Sequence, residues 1–251
     1  MGEIGRLIKA VLIDLGETLT HIPPEQKGVI ERQRLEETWS ALTRLGMNAD
    51  FEMFSTGFQE ISKRTSELCE RESIEIPIDE ILAGALNRLG FKAVRGGSLA
   101  ELERAFYRTE IAAWRLFPDS IEALERIKRL PVKVGVVSNS RSDWMVREVT
   151  TRLGLAPYFD AVVTSAESRI RKPGTKPFLK ALKTLNVRRQ ETVMVGDTFK
   201  TDIVGAKRLG MRAILVLRNS HLVEQDGVRA DATVRSLVEA ASIIEGWLEA
   251  G

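Results

Sequence analysis

The chain has 251 residues, 43% of them hydrophobic and 29% charged, with a formal net charge of +2. That is enough apolar material for a buried core, and the balanced charge, with no basic tail or long like-charge run, points away from nucleic acid. The single cysteine, Cys69, excludes an internal disulfide framework and fits a reducing compartment, while two histidines, His21 and His221, make a histidine-rich zinc site or a Ser-His-Asp triad an unpromising reading.

The apolar run Ala10 to Ile13, within a strand over 8–14, reads as buried on both faces, as inside a parallel sheet. From about Glu25 to Leu116 the character changes. Val29 to Leu45, Phe51 to Arg71, Ile78 to Leu89 and Leu99 to Trp114 carry apolar residues at helical spacing, with Gly46, Pro77 and Gly96-Gly97 as breaks. No convincing strand interrupts this block. Pro118-Asp119-Ser120 then predicts a well-capped helix over 119–130. Strands and helices alternate beyond it. Strands are predicted over Val132 to Val137, Ala161 to Thr164, Thr192 to Val195, Ala213 to Leu217 and Ala232 to Val234. Helices are predicted over Ser142 to Leu153, Pro177 to Leu185, Thr201 to Leu209 and Leu237 to Leu248.

Such alternation specifies a doubly wound parallel sheet. The expected fold is therefore an α/β, Rossmann-like core, residues 1–20 and 117–251, with an α-helical cap domain, residues 21–116, inserted after the first strand. No apolar run approaches the roughly 20 residues of a membrane helix. The N-terminus has no signal-peptide pattern. A cytoplasmic protein without a membrane partner is expected, and nothing specifies an oligomeric state.

Four segments fall at predicted strand ends. Asp14 closes the first strand, where open α/β sheets bind ligands; it reads equally as a turn cap or as a nucleophile or metal ligand. Ser138-Asn139 follows the strand ending at Val137, and on its own is more simply a turn leading to the cap Ser142. Arg171-Lys172-Pro173 precedes a helix; a lysine fixed by proline would point a charge into the crevice, and a solvated basic loop is the plainer alternative. Val193-Met-Val-Gly196-Asp197 runs from an apolar strand into Gly-Asp, with Asp202 five positions on, a pair suited to a hard divalent cation; a capped helix start is the plainer alternative, which explains Asp197 but not the apolar-Gly-Asp spacing.

In this order the four segments resemble the haloacid dehalogenase superfamily, and the helical block falls where many members carry a helical cap. The resemblance implies a Mg²⁺-dependent phosphohydrolase acting on a small phosphorylated metabolite through an aspartyl-phosphate. Asp14 would be the nucleophile. Mg²⁺ would be held by Asp14, the Gly16 carbonyl and Asp197, with Asp202 in the outer shell or orienting Lys172. Ser138 and Asn139 would contact the phosphoryl group, and Lys172 would offset the charge of Asp14 and phosphate. Phosphoryl transfer is served by such positioning and neutralisation.

One departure matters. Phosphatases of this family usually read Asp-x-Asp-Gly-Thr, and the second Asp is the acid/base. Here Asp14-Leu-Gly16-Glu17-Thr18 places glycine there, and losing a positioned acid/base costs about 10²–10⁴ in rate. Three explanations stand. Glu17 replaces it, the leaving group needs little acid help, or the phosphoenzyme is long-lived. A 2-haloacid dehalogenase, or a weakly catalytic binding protein, is the alternative. Halide leaves without a proton or a metal, however, and a binding module has no need of Lys172 with both Asp197 and Asp202. Arg32, Arg34, Arg44 and Arg64 read mainly as a solvated face, and Trp39, Phe51, Phe54 and Phe58 as cap core.

Overall fold

The computed structural model describes residues 7–92, 94–218 and 227–250, so His221 lies outside the described residues. In chain order the elements are β1 (Ala10–Ile13), β2 (Thr20–His21), α1 (Pro24–Arg44), α2 (Phe51–Glu72), α3 (Ile78–Arg88), α4 (Gly97–Ala113), β3 (Arg115–Leu116), α5 (Ser120–Lys128), β4 (Lys133–Ser138), α6 (Asp143–Arg152), β5 (Ala161–Thr164), α7 (Ser165–Ser168), α8 (Lys176–Leu185), β6 (Thr192–Gly196), α9 (Val204–Arg208), β7 (Arg212–Val216), β8 (Ala232–Val234) and α10 (Leu237–Glu249). A π-helical turn, Phe199–Ile203, joins β6 to α9.

Six strands form one parallel sheet in the order β5-β4-β1-β6-β7-β8. The apolar strands need both faces covered, and the period of two divides β1 between two cores. Val11 and Ile13 join the cluster under α5, α6 and α10; Ala10 and Leu12 join the one under α8 and α9. The chain leaves β1 toward β4 and β5 on one side and returns to β6 and β7 on the other. This reversal opens a crevice at the carboxyl end of β1, where Asp14 lies.

The helical block forms α1 to α4, and Phe54 and Phe58 are buried in its core, with Trp39 and Phe51 partly buried against the same cluster. Two short strands that the periodicity did not predict close the block. β2 and β3 pair antiparallel, Thr20 with Leu116 and His21 with Arg115, so the two linkers form one ribbon. The helix after Pro118 also starts differently. Asp119 does not cap it; its carboxylate pairs with Arg218 and accepts the Leu237 amide at 2.7 Å. Among the described residues no helix is long and apolar enough to cross a membrane.

A second contact ties the helical block to the sheet. Ile74 bridges to Ile170, the Glu75 amide donates to the Arg169 carbonyl at 3.0 Å, and the Arg171 amide donates to the Ser73 carbonyl at 2.9 Å. The buried Glu75 carboxylate accepts the Ser165 hydroxyl at 2.6 Å, pairs with Arg171 at 2.6 Å and faces Arg141 at 3.8 Å. Stripping one partner from a buried ion pair leaves the rest uncompensated. Glu75→Gln should therefore cost about 3 kcal/mol, the low end for a buried pair because both arginines keep some water contact. Urea denaturation measures it, and an unchanged midpoint would mean the contact contributes nothing.

Candidate active site

Asp14 is 8% exposed, one residue beyond β1, and its amide donates to the Val195 carbonyl at 2.9 Å, which fixes it between β1 and β6. Lys172, 3% exposed, reaches it across the crevice. Its Nζ lies 2.6 Å from Asp14 Oδ1 and 2.7 Å from Asp202 Oδ1, and donates to the Val137 carbonyl at 2.7 Å. Lys172 is held from its own backbone as well. The Asn139 side chain accepts the Lys172 amide at 2.8 Å and donates to its carbonyl at 3.1 Å. Asn139, expected to contact the phosphoryl group, thus spends its amide on positioning Lys172. Ser138 ends β4 beside it, buried to 7% exposure.

Asp197 follows β6, and the π-helical turn after it folds Asp202 back against the strand end. The Thr198 amide donates to Asp202 Oδ2 at 3.1 Å. Gly196 makes room for this. A Cβ there would lie 2.4 Å from Asp202 Oδ2, so the glycine of the Gly-Asp pair is required by the packing of Asp202. Gly196→Ala should displace Asp202, release Lys172 and lower turnover on the order of 10²-fold, as misplacement by an ångström does. Steady-state kinetics on the folded variant checks this, and undiminished turnover would contradict it.

Asp14, Asp197 and Asp202 present carboxylate oxygens within 4.8 Å of one another. Asp14 and Asp202 pair with the one ammonium, Asp197 lies close to both, and the surplus negative charge bears on Asp14 and Asp197. Burial, then the neighbouring Asp202 and Asp197, push the Asp14 carboxyl up to about 7, although Lys172 opposes this. Burial and Asp202 push Asp197 up to about 6. Burial works against the Lys172 ammonium, but Asp14 and Asp202 hold its pKa above the ordinary value. An all-oxygen donor set with surplus negative charge is what a hard divalent cation requires, so the residues fit Mg²⁺. Asp202 is committed to Lys172 and the Thr198 amide.

Thr18 was missed in the sequence. Its hydroxyl lies 3.1 Å from Asp197 Oδ1 and 3.4 Å from Asp14 Oδ2, and accepts the Asp197 amide at 3.1 Å, bridging the two strand ends. The signal for it was the threonine that closes the family's Asp-x-Asp-Gly-Thr pattern, four residues after Asp14. Gly16 has no side chain to offer, and a Cβ there would begin 3.3 Å from Trp114 Cη2. The indole at the end of α4 thus fills the space beside Gly16. Glu17 adopts a left-handed φ of 59° and turns outward, 41% exposed at its side chain and 3.7 Å from Lys27. It does not enter the crevice.

A cavity of about 330 Å³ lies between the sheet and the helical block. Leu15, Gly16, Ser138 and Asn139 line one side; Arg34, Tyr107, Glu110 and Trp114 line the other, and Arg141 and Arg171 also reach it. Of the four arginines grouped together in the sequence, Arg34 faces this cavity, whereas Arg32, Arg44 and Arg64 are exposed.

The family profile of the haloacid dehalogenase-like hydrolases matches residues 8–210. A glyceraldehyde 3-phosphate phosphatase of Methanocaldococcus jannaschii is 29% identical over 95% of this chain and 98% of its own length. A ribulose-1,5-bisphosphate 5-phosphatase of Halopiger xanaduensis is 30% identical over 82% of this chain and 83% of its own. Among solved structures, a 2-haloacid dehalogenase of Pseudomonas syringae pv. Tomato shares the fold with a TM-score of 0.69 at 24% identity, covering 96% of this chain and all of that one. The match of fold, strand-end carboxylates and sequence profile over most of the chain makes this protein a member of the haloacid dehalogenase-like hydrolase family.

Proposed function

We propose that the chain is a Mg²⁺-dependent phosphohydrolase that cleaves the phosphate ester of a small metabolite, with Asp14 as covalent nucleophile. One observation carries this reading: three clustered carboxylates, two of them paired to a single buried lysine, a net negative group that a divalent cation would complete. Asp14, the Gly16 carbonyl and Asp197 would hold Mg²⁺, which when bound would offset charge shared by the nucleophile and the phosphate. Lys172 holds one Asp14 oxygen and adds a second positive charge. Ser138 and the amides around it would take phosphoryl oxygens at the floor of the cavity. Asp202 and Asn139 keep Lys172 in place.

In this reading residues 1–20 and 117–251 are the catalytic core and 21–116 the cap. The β2–β3 ribbon would serve as its hinge, and the Glu75 contact as the latch that opening must break. The cavity volume suits a small substrate, and the phosphorylated sugars in the two relatives' names are the first to test. A haloacid dehalogenase reading leaves Asp197 without a task. The test is orthophosphate release from a panel of small phosphate esters, including glyceraldehyde 3-phosphate, with Mg²⁺ and with chelator. Mg²⁺-dependent release is expected. Metal-independent halide release from a 2-haloacid, with no phosphate released, would overturn the proposal.

A further inference from the structure

The family's acid/base position is glycine, and Glu17 points away, yet a carboxyl group does reach the same cavity from the opposite wall. Glu110 on α4 is the one carboxylate among the described residues that line it, together with Gly16 and Ser138. It is 9% exposed. One helical turn on, its partner Trp114 puts its ring against Gly16, and the Trp114 amide donates to the Glu110 carbonyl at 3.2 Å. The end of α4 therefore delivers two side chains to this wall. The indole lies against Gly16, and Glu110 lines the same cavity beside it. Trp114 Nε1 is buried with no hydrogen-bond partner. Arg34 orients that carboxylate, with Nη2 at 3.1 Å from Oε2, and the arginine is itself stacked over Phe106 at 5.0 Å.

We propose that Glu110 serves as the general acid and base that Gly16 cannot supply. This rests on the phosphohydrolase reading. Asp14 attacks phosphorus, and the bond from phosphorus to the leaving oxygen breaks. The electron pair passes to that oxygen, which takes the proton of the Glu110 carboxyl. A water then gives a proton back to Glu110 while its oxygen bonds to phosphorus. The bond from phosphorus to Asp14 breaks, the carboxylate is restored, and orthophosphate leaves. A carboxyl for this task has to hold a proton near neutrality. Burial raises the Glu110 pKa, and Arg34 offsets only part of the rise. Tyr107, whose phenol burial and Glu110 push up, stays neutral beside it.

The test uses the full-length enzyme with Mg²⁺, an alkyl phosphate and p-nitrophenyl phosphate. In Glu110→Gln, alkyl-phosphate turnover should fall about 10²–10⁴-fold, the range for a lost acid/base. Release of p-nitrophenol in the first turnover should change little, because that leaving group departs without a proton. Phosphoenzyme trapped by acid quench should rise, since its hydrolysis lacks a base. Glu110→Asp keeps a carboxyl of shorter reach and should show the same split in milder form, which serves if the glutamine variant does not fold. Equal losses on both substrates, with no rise in phosphoenzyme, would reduce Glu110 to a structural or binding role and overturn the assignment. If wild type forms phosphoenzyme but neither variant splits the substrates, Glu110 alone is wrong. If wild type turns over without any phosphoenzyme, the phosphohydrolase mechanism falls with it.

Discussion

Asp14→Asn should lower phosphate release by at least about 10³-fold, because an amide of nearly the same shape is a very weak nucleophile and a reaction that depends on a covalent step fails without it. The same change should not lower the stability of the metal-free protein near neutral pH. Burial and the adjacent Asp202 and Asp197 raise the Asp14 pKa to about 7, so the folded state disfavours the carboxylate that the reaction needs. The amide removes that repulsion, and Lys172 keeps Asp202 as a partner at 2.7 Å. Kinetics and thermal denaturation on one preparation check both halves. Residual turnover near the wild-type value would end the case for Asp14 as nucleophile. A large drop in Tm would show that the charge cluster stabilises the fold rather than straining it.

Removing the divalent cation should abolish turnover and leave a characteristic pH dependence of stability. Asp14 and Asp197 have folded-state pKa values of about 7 and about 6 against an ordinary 3.8. Between the ordinary and the folded values the folded protein binds more protons than the unfolded chain, so stability is greatest below that window and falls as pH rises through it. The raised pKa of Lys172 acts only in the alkaline range and leaves this window untouched. A cation that replaces those protons restores what is lost. The Tm difference between Mg²⁺-loaded and chelator-treated protein should therefore be small near pH about 4 and largest near about 8. A difference that shrinks as pH rises would contradict the charge balance drawn for the site.

The sheet was legible because a strand buried on both faces is a short apolar run, and β1, β4, β6 and β7 each present one. The site was legible because its chemistry sits next to punctuation: Asp14 before a glycine turn, Lys172 before proline, Asp197 after Gly196. Less legible was anything made by partners far apart in the chain. Glu75 lies in a short link between α2 and α3, with no periodicity to mark it, and gains its meaning only from Ser165 and Arg171. β2 and β3 are two residues long and exist because the two linkers meet. Asp119 looked like a helix cap because Asp before a helix usually is one, but Arg218 competes for the carboxylate and wins it. Arg34 and Arg32 are indistinguishable by composition. Two residues along a helix is more than half a turn of rotation, and only Arg34 faces the cavity. Trp114 was assigned to a helix end with no hint that its ring would pack on Gly16.

Acid quench during steady-state turnover of a good phosphate ester, followed by mass mapping of the peptides, tests the central claim most directly. The account predicts one added phosphoryl group on the peptide carrying Asp14, absent from Asp14→Asn. A phosphoryl group on another residue, or turnover by a protein that never carries one, would contradict it.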